Sequence, residues 1–285
     1  MTIAEWLRQA VEQFQRANIP SAQLDAEVLL CHILGVDRPY LISHADDSLA
    51  LTALSHKNGV HPGGVKVYGD SLILKRLQRQ PIAYLVGYKE FYGREFIVNK
   101  NVLIPRPETE ALVELAKAHG LTGNLIDVGT GSGALGLTLW HELNDITLTL
   151  SDISPEALEV ATKNAKKLGV KTLTLQESDL LEYWVEHTPT KPFDIIVANL
   201  PYVDRSWERS PETEHEPRQA LFAADGGLAL IYELLEQTPR LLRPNGHLLL
   251  EADPEQHEAI VKKAADYGLR LIEKRDYALL FTKAQ

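Results

Sequence analysis

The stretch of sequence that decides the fold reads LIDVGTGSGA and covers residues 125–134. Its apolar start predicts a β-strand, its alternating glycines predict a tight turn, and the residues that follow predict the beginning of a helix. Glycine lets a backbone approach a ligand closely, and a helix N-terminus attracts negative groups. The stretch therefore predicts a ligand-binding turn rather than one that only packs. Because it contains the pattern Gly131-x-Gly133-x-x-Gly136, a nicotinamide coenzyme is one candidate ligand.

Strand-like and helical runs alternate from here to the end of the chain. This alternation predicts a parallel sheet that is covered by helices on both faces and binds ligands beyond the carboxyl ends of its strands. The last two runs, 269–275 and 277–282, leave no room for a crossover helix, so we expect an antiparallel hairpin at the sheet edge. Strands are predicted at 125–128, 146–150, 172–175, 193–198 and 247–250, and helices at 108–119, 134–143, 155–168, 227–242 and 254–267.

Composition narrows the class of protein. The chain has 285 residues, of which 45% are hydrophobic and 24% charged, and no apolar run approaches the length of a membrane span. With one cysteine, Cys31, it cannot form an internal disulfide framework or a multi-cysteine metal site. The net charge of −10 argues against a protein that holds nucleic acid by phosphate neutralisation. We expect a cytoplasmic protein without a metal.

The first third has a different pattern, and it predicts a helical domain over residues 1–80. Helical stripes cover 2–17 and 21–34, and one or two short helices are expected within 39–54. The glycine-rich residues 55–70 predict a flexible loop, in which His56 and His61 lack the spacing of metal ligands. A basic helix with a solvated face is expected over 71–80. A β-hairpin linker over 81–105, with strands at 84–88 and 91–98, then precedes the sheet domain over 106–285.

Two aspartates at strand ends are candidate ligands. Asp152 follows the second predicted strand about 20 residues after the glycine turn, where an acidic residue typically grips ribose hydroxyls. Asp152 can also cap the helix that begins at Pro155, and both roles can coexist. Asp179 follows the third strand, and its carboxylate would accept a hydrogen bond from an adenine amine, although a strand-end turn is nearly as good an interpretation.

The fourth predicted strand ends in the sequence Asn199-Leu200-Pro201-Tyr202. A planar amide is a poor nucleophile because its nitrogen lone pair is delocalised. Two acceptors on its N–H bonds would favour the pyramidal form that attacks. The side-chain carbonyl of Asn199 and the backbone carbonyl of Leu200 can supply them, Pro201 fixes the turn, and Tyr202 offers a flat wall. The sequence therefore predicts chemistry on an –NH2 group, which a nicotinamide dehydrogenase does not need.

Taken together, these segments resemble the protein-(glutamine-N5) methyltransferase family, HemK/PrmC. The resemblance covers nearly the whole chain, and its most specific piece is VLIPRPETE at 102–110. Further matching segments are 25–30, the glycine turn 127–133, and 216–228. Three features depart from the family pattern. Leu200 replaces the usual first proline of Asn-Pro-Pro-Tyr, Glu251-Ala252-Asp253 replaces the more frequent Glu-Ile-Gly, and the loop at 55–70 is unusual.

The resemblance implies a class I S-adenosylmethionine-dependent methyltransferase fold of the α/β, Rossmann-like type, with a substrate-docking N-terminal domain. It implies S-adenosyl-L-methionine as cofactor and, as substrate, the glutamine of the Gly-Gly-Gln loop in class I peptide chain release factors. We expect a monomer without stable nucleic-acid binding. The catalytic candidates are Asn199, Leu200, Pro201 and Tyr202. The cofactor-binding candidates are Gly129, Thr130, Gly131, Ser132, Gly133, Asp152, Asp179, Leu180 and Asn199.

Three alternatives stay open at this point. The same chemistry could act on a ribosomal-protein glutamine or on an exocyclic amine of adenine or guanine in nucleic acid, where a basic patch at 75–79 would help. A binding module that kept the cofactor fold and lost its chemistry is the third, although the intact Asn199 and Tyr202 argue against it. The acidic segment 208–216 is expected to be a solvated loop, with a mobile lid as the sharper alternative.

Overall fold

The computed structural model describes residues 1–49, 64–187, 189 and 191–284. The chain divides into two compact units. The first comprises Met1–Gly87 together with the later segment Ser210–His215. The second comprises Tyr88–Arg209 and Glu216–Gln285, and it contains every strand named below.

The first unit is helical. A capping box begins its first helix, because the Thr2 hydroxyl accepts from the backbone N–H of Glu5 and the Glu5 carboxylate accepts from that of Thr2. Gly35 ends the second helix with φ +69°, a left-handed conformation that favours glycine. Trp6, Phe14 and Leu29 are buried in the core of this unit. Its helices are α1 (Ile3–Arg16), α2 (Ala22–Leu34), α3 (Arg38–Ser43), α4 (Gly64–Leu77) and α5 (Ile82–Val86).

Helix α4 corrects the expected loop at 55–70, because residues 64–70 are helical. The glycine content misled the prediction: Gly69 serves close packing and not flexibility. A Cβ at Gly69 would lie only 3.0 Å from Nε1 of Trp6, so a glycine there lets α4 approach α1. Residues 50–63, with His56 and His61 and the end of the region expected to hold short helices, lie outside the described residues.

The expected solvated face of the basic helix is also wrong for one residue. Arg76 is buried, and its Nε donates to Oδ2 of Asp25 at 2.7 Å. Its Nη1 donates to Oε1 of Glu212 at 2.8 Å, which belongs to the segment Ser210–His215 of the same unit. Glu212, expected on a solvated loop, is therefore a member of a partly buried ion-pair network.

The second unit begins with a hairpin of β1 (Tyr88–Phe91) and β2 (Arg94–Ile97), which are antiparallel. The strand expected at 84–88 is wrong for residues 84–86, which belong to helix α5. Gly87, at φ +84°, ends that helix and the strand starts only afterwards. An apolar run of this length does not distinguish a buried helical turn from a strand.

A seven-stranded sheet forms the centre of the second unit, in the order β5-β4-β3-β6-β7-β9-β8. The first five strands are parallel, and β9 is antiparallel to both β7 and β8. The α/β class with an antiparallel edge hairpin is thereby confirmed. The strands are β3 (Gly123–Val128), β4 (Ile146–Asp152), β5 (Leu173–Glu177), β6 (Phe193–Ala198), β7 (Leu242–Glu251), β8 (Leu269–Arg275) and β9 (Ala278–Lys283).

Alternate strand residues face two cores, one on each side of the sheet. Leu125 and Ile195 belong to one buried cluster, while Ile126 and Ile196 belong to the other. The helices that cover the sheet are α6 (Glu110–Ala118), α7 (Ala134–Glu142), α8 (Pro155–Lys167), α9 (Glu182–Glu186), α10 (Ala229–Leu241) and α11 (His257–Asp266). Helix α9 was not predicted. Within the described ranges, the chain has no helix with both the length and the apolar character that crossing a membrane requires.

Candidate active site

The register of the parallel strands aligns four polar or glycine positions at one edge of the sheet. Val128 of β3 is opposite Ser151 of β4 and Ala198 of β6, and Ala198 is in turn opposite Leu250 of β7. The next residues along the four strands are Gly129, Asp152, Asn199 and Glu251. The order in which the chain adds strands reverses between β3 and β6, since β4 and β5 extend the sheet on one side of β3 and β6 and β7 extend it on the other. Ligands of such sheets bind at this switch point.

A cavity of about 360 Å³ opens at this edge. Its lining includes most of the residues that the sequence predicted: Gly129, Thr130, Gly131, Ser132, Asp152, Asp179, Leu180, Asn199, Leu200 and Pro201. Two predicted residues are not in that lining. Gly133 is the N-cap of helix α7, and Tyr202 lies just beyond the cavity with its hydroxyl on Glu251.

The glycine turn is shaped by left-handed backbone conformations and by Asp152. Gly129, Gly131 and Gly133 have φ values of +69°, +55° and +81°. Oδ2 of Asp152 accepts from the backbone N–H of Gly131 at 2.8 Å, and Oδ1 accepts from that of Ser154 at 2.9 Å. Burial raises the pKa of Asp152, and these hydrogen bonds partly offset the shift. Asp152 therefore holds the glycine turn and the residue that precedes α8. The helix itself is capped by Ser154, whose hydroxyl accepts from the backbone N–H of Ala157 at 3.2 Å, so Asp152 is not the cap that the sequence suggested.

Asp127 supports the same turn from beneath, a role that was not predicted from the sequence. Its Oδ2 accepts from the Thr130 hydroxyl at 2.6 Å and from the backbone N–H of Gly136 at 2.9 Å. Burial raises its pKa to about 6. A Cβ at Gly136 would collide with Leu150 and with Asp127, so this glycine permits close packing of helix against sheet. The available signal was an acidic residue inside an otherwise apolar strand.

Asn164 of helix α8 fixes the other side of the turn. It is fully buried, and its Nδ2 donates to the carbonyls of Ser132 and Ile97 at 2.8 and 2.9 Å. Its Oδ1 accepts from the backbone N–H of Ile97 at 2.7 Å. The residue therefore joins the glycine turn to strand β2 of the hairpin. Its position on a helix gave no sequence signal for this role.

Asn199 stands at the tip of β6 with its two polar atoms used differently. Its Nδ2 donates to Oγ1 of Thr109 at 2.9 Å, whereas Oδ1 accepts no hydrogen bond from the residues that the structure describes. Thr109 is buried at the end of the turn Pro107–Thr109, and like Asn199 it lines the cavity. An acceptor oxygen is therefore available at the cavity wall, which is the chemistry that holding an –NH2 group requires.

Leu200 follows with a buried side chain that contacts the glycine turn. A Cβ at Gly129 would lie 3.1 Å from Cδ2 of Leu200, so the leucine occupies the space above this glycine. The tip of β6 and the turn after β3 therefore pack directly on each other.

Glu251 is a buried carboxylate at the end of β7, behind Asn199. Oε1 accepts from the Tyr202 hydroxyl at 3.0 Å. Oε2 is buried and accepts no hydrogen bond of standard geometry from the described residues, although Thr109 and Asn199 lie close enough to lower the pKa of this carboxyl. Burial dominates over these donors and raises the pKa to about 7. In the sequence, Glu251 stands out only as part of a departure from the family pattern.

Two further segments of the family resemblance meet in the second unit. Arg106 donates to Oε1 of Glu216 at 2.6 Å, and Oε2 of Glu216 accepts from the backbone N–H of Ile104 at 3.1 Å. Glu216 is buried, which corrects the expectation that 208–216 is solvated throughout.

The segment after Glu216 ends beside the motif Asn199-Leu200-Pro201-Tyr202. A Cβ at Gly227 would overlap the carbonyl oxygen of Tyr202, and Gln256 donates to that same oxygen at 2.9 Å. Glycine is therefore required at position 227, and the chain just beyond the motif is held from two sides.

Comparisons with known proteins agree with this geometry. Residues 122–281 match a family model described as a methyltransferase domain, and residues 5–56 match one described as the PrmC N-terminal domain. The chain is 35% identical to the release factor glutamine methyltransferase of Vibrio cholerae over 98% of its own length and 94% of that protein. It is 34% identical to the release factor glutamine methyltransferase of Escherichia coli K12 over 97% and 95%.

The comparison with solved structures supports the fold and nothing beyond it. A methyltransferase from Pyrococcus furiosus aligns with a TM-score of 0.52 at 17% identity, covering 76% of this chain and 98% of that one. One assignment follows from the near full-length relatives and from the matching of both domain families. It agrees with the alignment of Gly129, Asp152 and Asn199 at one edge of the sheet. The chain belongs to the release factor glutamine methyltransferase family.

Proposed function

We propose that this protein transfers a methyl group from S-adenosyl-L-methionine to the side-chain amide nitrogen of the glutamine in the Gly-Gly-Gln loop of class I peptide chain release factors. The observation that carries the proposal is the hydrogen bonding of the Asn199 side chain. This side chain lines the cavity, its amide nitrogen is held by Thr109, and its carbonyl oxygen is available to a ligand. The two relatives reported above carry the name of this activity.

Two acceptors would hold the substrate amide. Oδ1 of Asn199 and the backbone carbonyl of Leu200 stand on consecutive residues at the tip of β6, so they can accept from the two N–H bonds of one –NH2 group. Holding both bonds favours the pyramidal nitrogen, whose lone pair is free to attack. The expected aromatic wall at Tyr202 stays a prediction, because its ring is not in the cavity lining.

The residues present fit the proposed cofactor. At Gly131 the space that a Cβ would occupy is open, so the bare backbone leaves room for a ligand at the turn. Asp152 uses one lone pair of each oxygen on a backbone N–H and keeps others for ribose hydroxyls. Asp179 and Leu180 line the same cavity and would face the base. Gly129, Thr130, Ser132 and Gly133 complete the turn that would hold the cofactor.

The protein's part in the reaction is to position and desolvate. When bound, S-adenosylmethionine supplies an electrophilic methyl group on a sulfonium. Asn199 and the Leu200 carbonyl orient the glutamine nitrogen for in-line attack, and the mostly apolar lining excludes competing water. Orientation of two bound reactants can lower the barrier by about 7–11 kcal/mol. The methylated nitrogen is positively charged and strongly acidic, so it passes its proton to water and no strong base is needed.

The remaining expectations belong to this proposal. A release factor is the partner, the enzyme works as a monomer in the cytoplasm where translation ends, and it holds no nucleic acid stably. Size-exclusion chromatography with light scattering and a binding titration with ribosomal RNA test the monomer and the nucleic-acid statements directly.

The decisive experiment is methyl transfer to a purified release factor. The enzyme is incubated with isotopically labelled S-adenosylmethionine and release factor, and mass spectrometry locates the label. We expect one methyl group on the glutamine of the Gly-Gly-Gln loop and none on a release factor in which that glutamine is replaced by glutamate. Label on a ribosomal protein or on RNA, with none on the release factor, would replace the proposed substrate.

Asn199→Ala separates the proposed roles. It removes one of the two acceptors, so we expect methyl transfer to fall by about 100-fold or more while the affinity for S-adenosylmethionine, measured by calorimetry, changes little. Equal loss of both would contradict the assignment. A parallel titration with NAD tests the coenzyme suggested by the glycine pattern, and we expect no binding.

A further inference from the structure

An asparagine can present either end of its carboxamide to a neighbour. The two ends are nearly the same size but opposite in hydrogen-bonding character, so only surrounding donors and acceptors decide which end faces the cavity. In the proposed reaction the useful orientation places Oδ1 of Asn199 toward the substrate. If the amide were turned, Nδ2 would meet the N–H bonds of the substrate, and two donors would oppose each other.

Thr109 alone cannot enforce this orientation. Its hydroxyl can accept from Nδ2 of Asn199, as it does at 2.9 Å, or it can donate to Oδ1 of the turned amide. A second group must fix the direction of the hydroxyl proton. Glu251 is placed to do so. The residues that precede Asn199 and Glu251 pair with each other, so these two stand on neighbouring strands at the same edge of the sheet. Oε1 of Glu251 is bound to Tyr202, and its buried Oε2 has no partner of standard geometry among the described residues. Thr109 and Asn199 lie close enough to lower the pKa of the carboxyl.

A carboxylate accepts hydrogen bonds and does not donate them. Above its pKa of about 7 Glu251 is ionised, and its charge favours the Thr109 rotamer whose hydroxyl proton faces the buried Oε2. The threonine oxygen can then only accept from Asn199. The same negative charge repels Oδ1 and attracts the second proton of Nδ2. The Tyr202 hydroxyl keeps its proton, because burial and Glu251 itself raise its pKa, and it donates to Oε1.

We propose that Glu251, acting through Thr109, is a positioning residue that holds the carboxamide of Asn199 with Oδ1 directed at the substrate amide. The claim rests on the proposed function for its purpose, but the orientation itself is a property of the free enzyme. Glu251 touches neither substrate nor cofactor in this scheme, since it is not among the residues that line the cavity.

The first test reads the orientation without substrate or cofactor. In ¹⁵N-labelled enzyme, the side-chain amide signals of Asn199 are assigned by their loss in Asn199→Asp. We expect two well-separated, slowly exchanging protons in the wild type. In Thr109→Val and in Glu251→Gln the two signals should move toward each other and exchange faster. Glutamine is chosen at position 251 because its amide can donate to the Thr109 hydroxyl. This would reverse the direction of the hydrogen bonds from Asn199 through Thr109 to residue 251.

The second test measures the rate of methyl transfer to release factor at saturating S-adenosylmethionine. A misoriented group costs on the order of 100-fold in rate, and we expect Glu251→Gln and Thr109→Val each to lose at least about 10-fold in kcat, with the cofactor dissociation constant unchanged within about twofold. Thr109→Ser keeps the hydroxyl and should recover most of the rate lost in Thr109→Val. Because the two residues act in one chain, the double variant should be little slower than either single one.

Thr138→Val is the matched control. Thr138 is also fully buried, its hydroxyl has no hydrogen-bond partner within the described chain, and it lies on helix α7 outside the cavity lining. The same chemical change there should leave both the Asn199 signals and the rate unchanged.

The outcomes separate the two proposals. Unchanged Asn199 signals in Glu251→Gln and Thr109→Val overturn the positioning role, whatever the wild type methylates. Rates of both variants within twofold of the wild type overturn it as well, as does a rate loss fully explained by weaker cofactor binding. A wild type that fails to methylate release factor while its Asn199 signals respond as expected contradicts the proposed function and leaves the orientation supported.

Discussion

Asp25 of the helical unit and the carboxylates at the active-site edge of the sheet are buried in opposite ways. In the first unit Asp25 lies 2.7 Å from the guanidinium of Arg76, and both side chains are almost fully buried. In the second unit Asp127 and Glu251 are just as buried, but their hydrogen-bond partners are neutral: hydroxyls and a backbone N–H. The consequence appears in the pKa values, which burial raises to about 6 for Asp127 and about 7 for Glu251.

This difference indicates what each group is for. A buried carboxylate with a matched cation has its charge compensated inside the fold, which suits a structural tie between helices. A buried carboxyl group that has only neutral hydrogen-bond donors around it is less stable in its ionised form. Such groups concentrate at functional sites. The active-site edge of the sheet therefore carries a cost in stability that the helical unit avoids.

The largest effect should come from breaking the compensated pair. Arg76→Met leaves Asp25 buried without its cation, and removing one partner of a buried pair costs about 3–5 kcal/mol. We expect the free energy of unfolding, measured by urea denaturation, to fall by about that amount. A loss below about 1 kcal/mol would mean that the pair is no more than a surface contact in solution.

A pH effect of somewhat smaller size should come from the uncompensated Glu251. Its pKa is raised from 4.5 to about 7 in the folded state, so between these values the folded state binds more protons than the unfolded state. Stability of the wild type relative to Glu251→Gln should therefore fall by about 3 kcal/mol as the pH rises from 4.5 to 7, and then stay constant.

Denaturation of both proteins across pH 4–8 measures this difference. The contribution of Asp127 is common to both and cancels. A difference between the two proteins that does not change with pH would show that Glu251 is not a buried, uncompensated carboxylate.

The buried hydroxyl of Thr138 extends the comparison from carboxylates to a neutral polar group. Thr138→Val replaces a buried hydroxyl that makes no hydrogen bond to any residue the structure describes, and it keeps the shape of the side chain. We expect the unfolding free energy to rise by about 1 kcal/mol, because the cost of desolvating the hydroxyl disappears. Differential scanning calorimetry of the two proteins tests this, and destabilisation would indicate a bond to solvent at that position.

The smallest effect should come from an exposed ion pair. Arg16 and Glu12 lie 3.5 Å apart on α1, with side chains that are 78% and 53% exposed. Arg16→Met makes the same chemical change as Arg76→Met, yet we expect less than about 0.5 kcal/mol. A comparable loss in both variants would mean that burial does not set the difference between them.

The sequence predicted those parts of the molecule that depend on local pattern. Strand and helix alternation, the glycine turn, and Asn199 at a strand end were readable because each is written in consecutive residues. Strand register then placed Asp152 and Asn199 at one edge, as expected for parallel strands.

The rest depends on residues that are distant in the chain. Thr109 meets Asn199 across 90 residues, and Arg106 meets Glu216 across 110. No single segment signals such pairs. Gly69 shows the complementary failure: a glycine that packs against Trp6 has the same local pattern as one in a loop. Buried partners of charged residues were missed for the same reason. The sequence of the basic helix is typical of a solvated face, and only the structure shows that Asp25 lies beside Arg76.

The position of β8 at the end of the sheet bears on how the protein behaves at high concentration. An edge strand offers unpaired backbone groups to any other chain, and this is a common route to aggregation. Strand β8 carries Arg270, Glu273, Lys274 and Arg275 along its seven residues. A foreign strand that paired here would bring its own side chains against this row of charges, so β8 discourages another chain from extending the sheet at this edge.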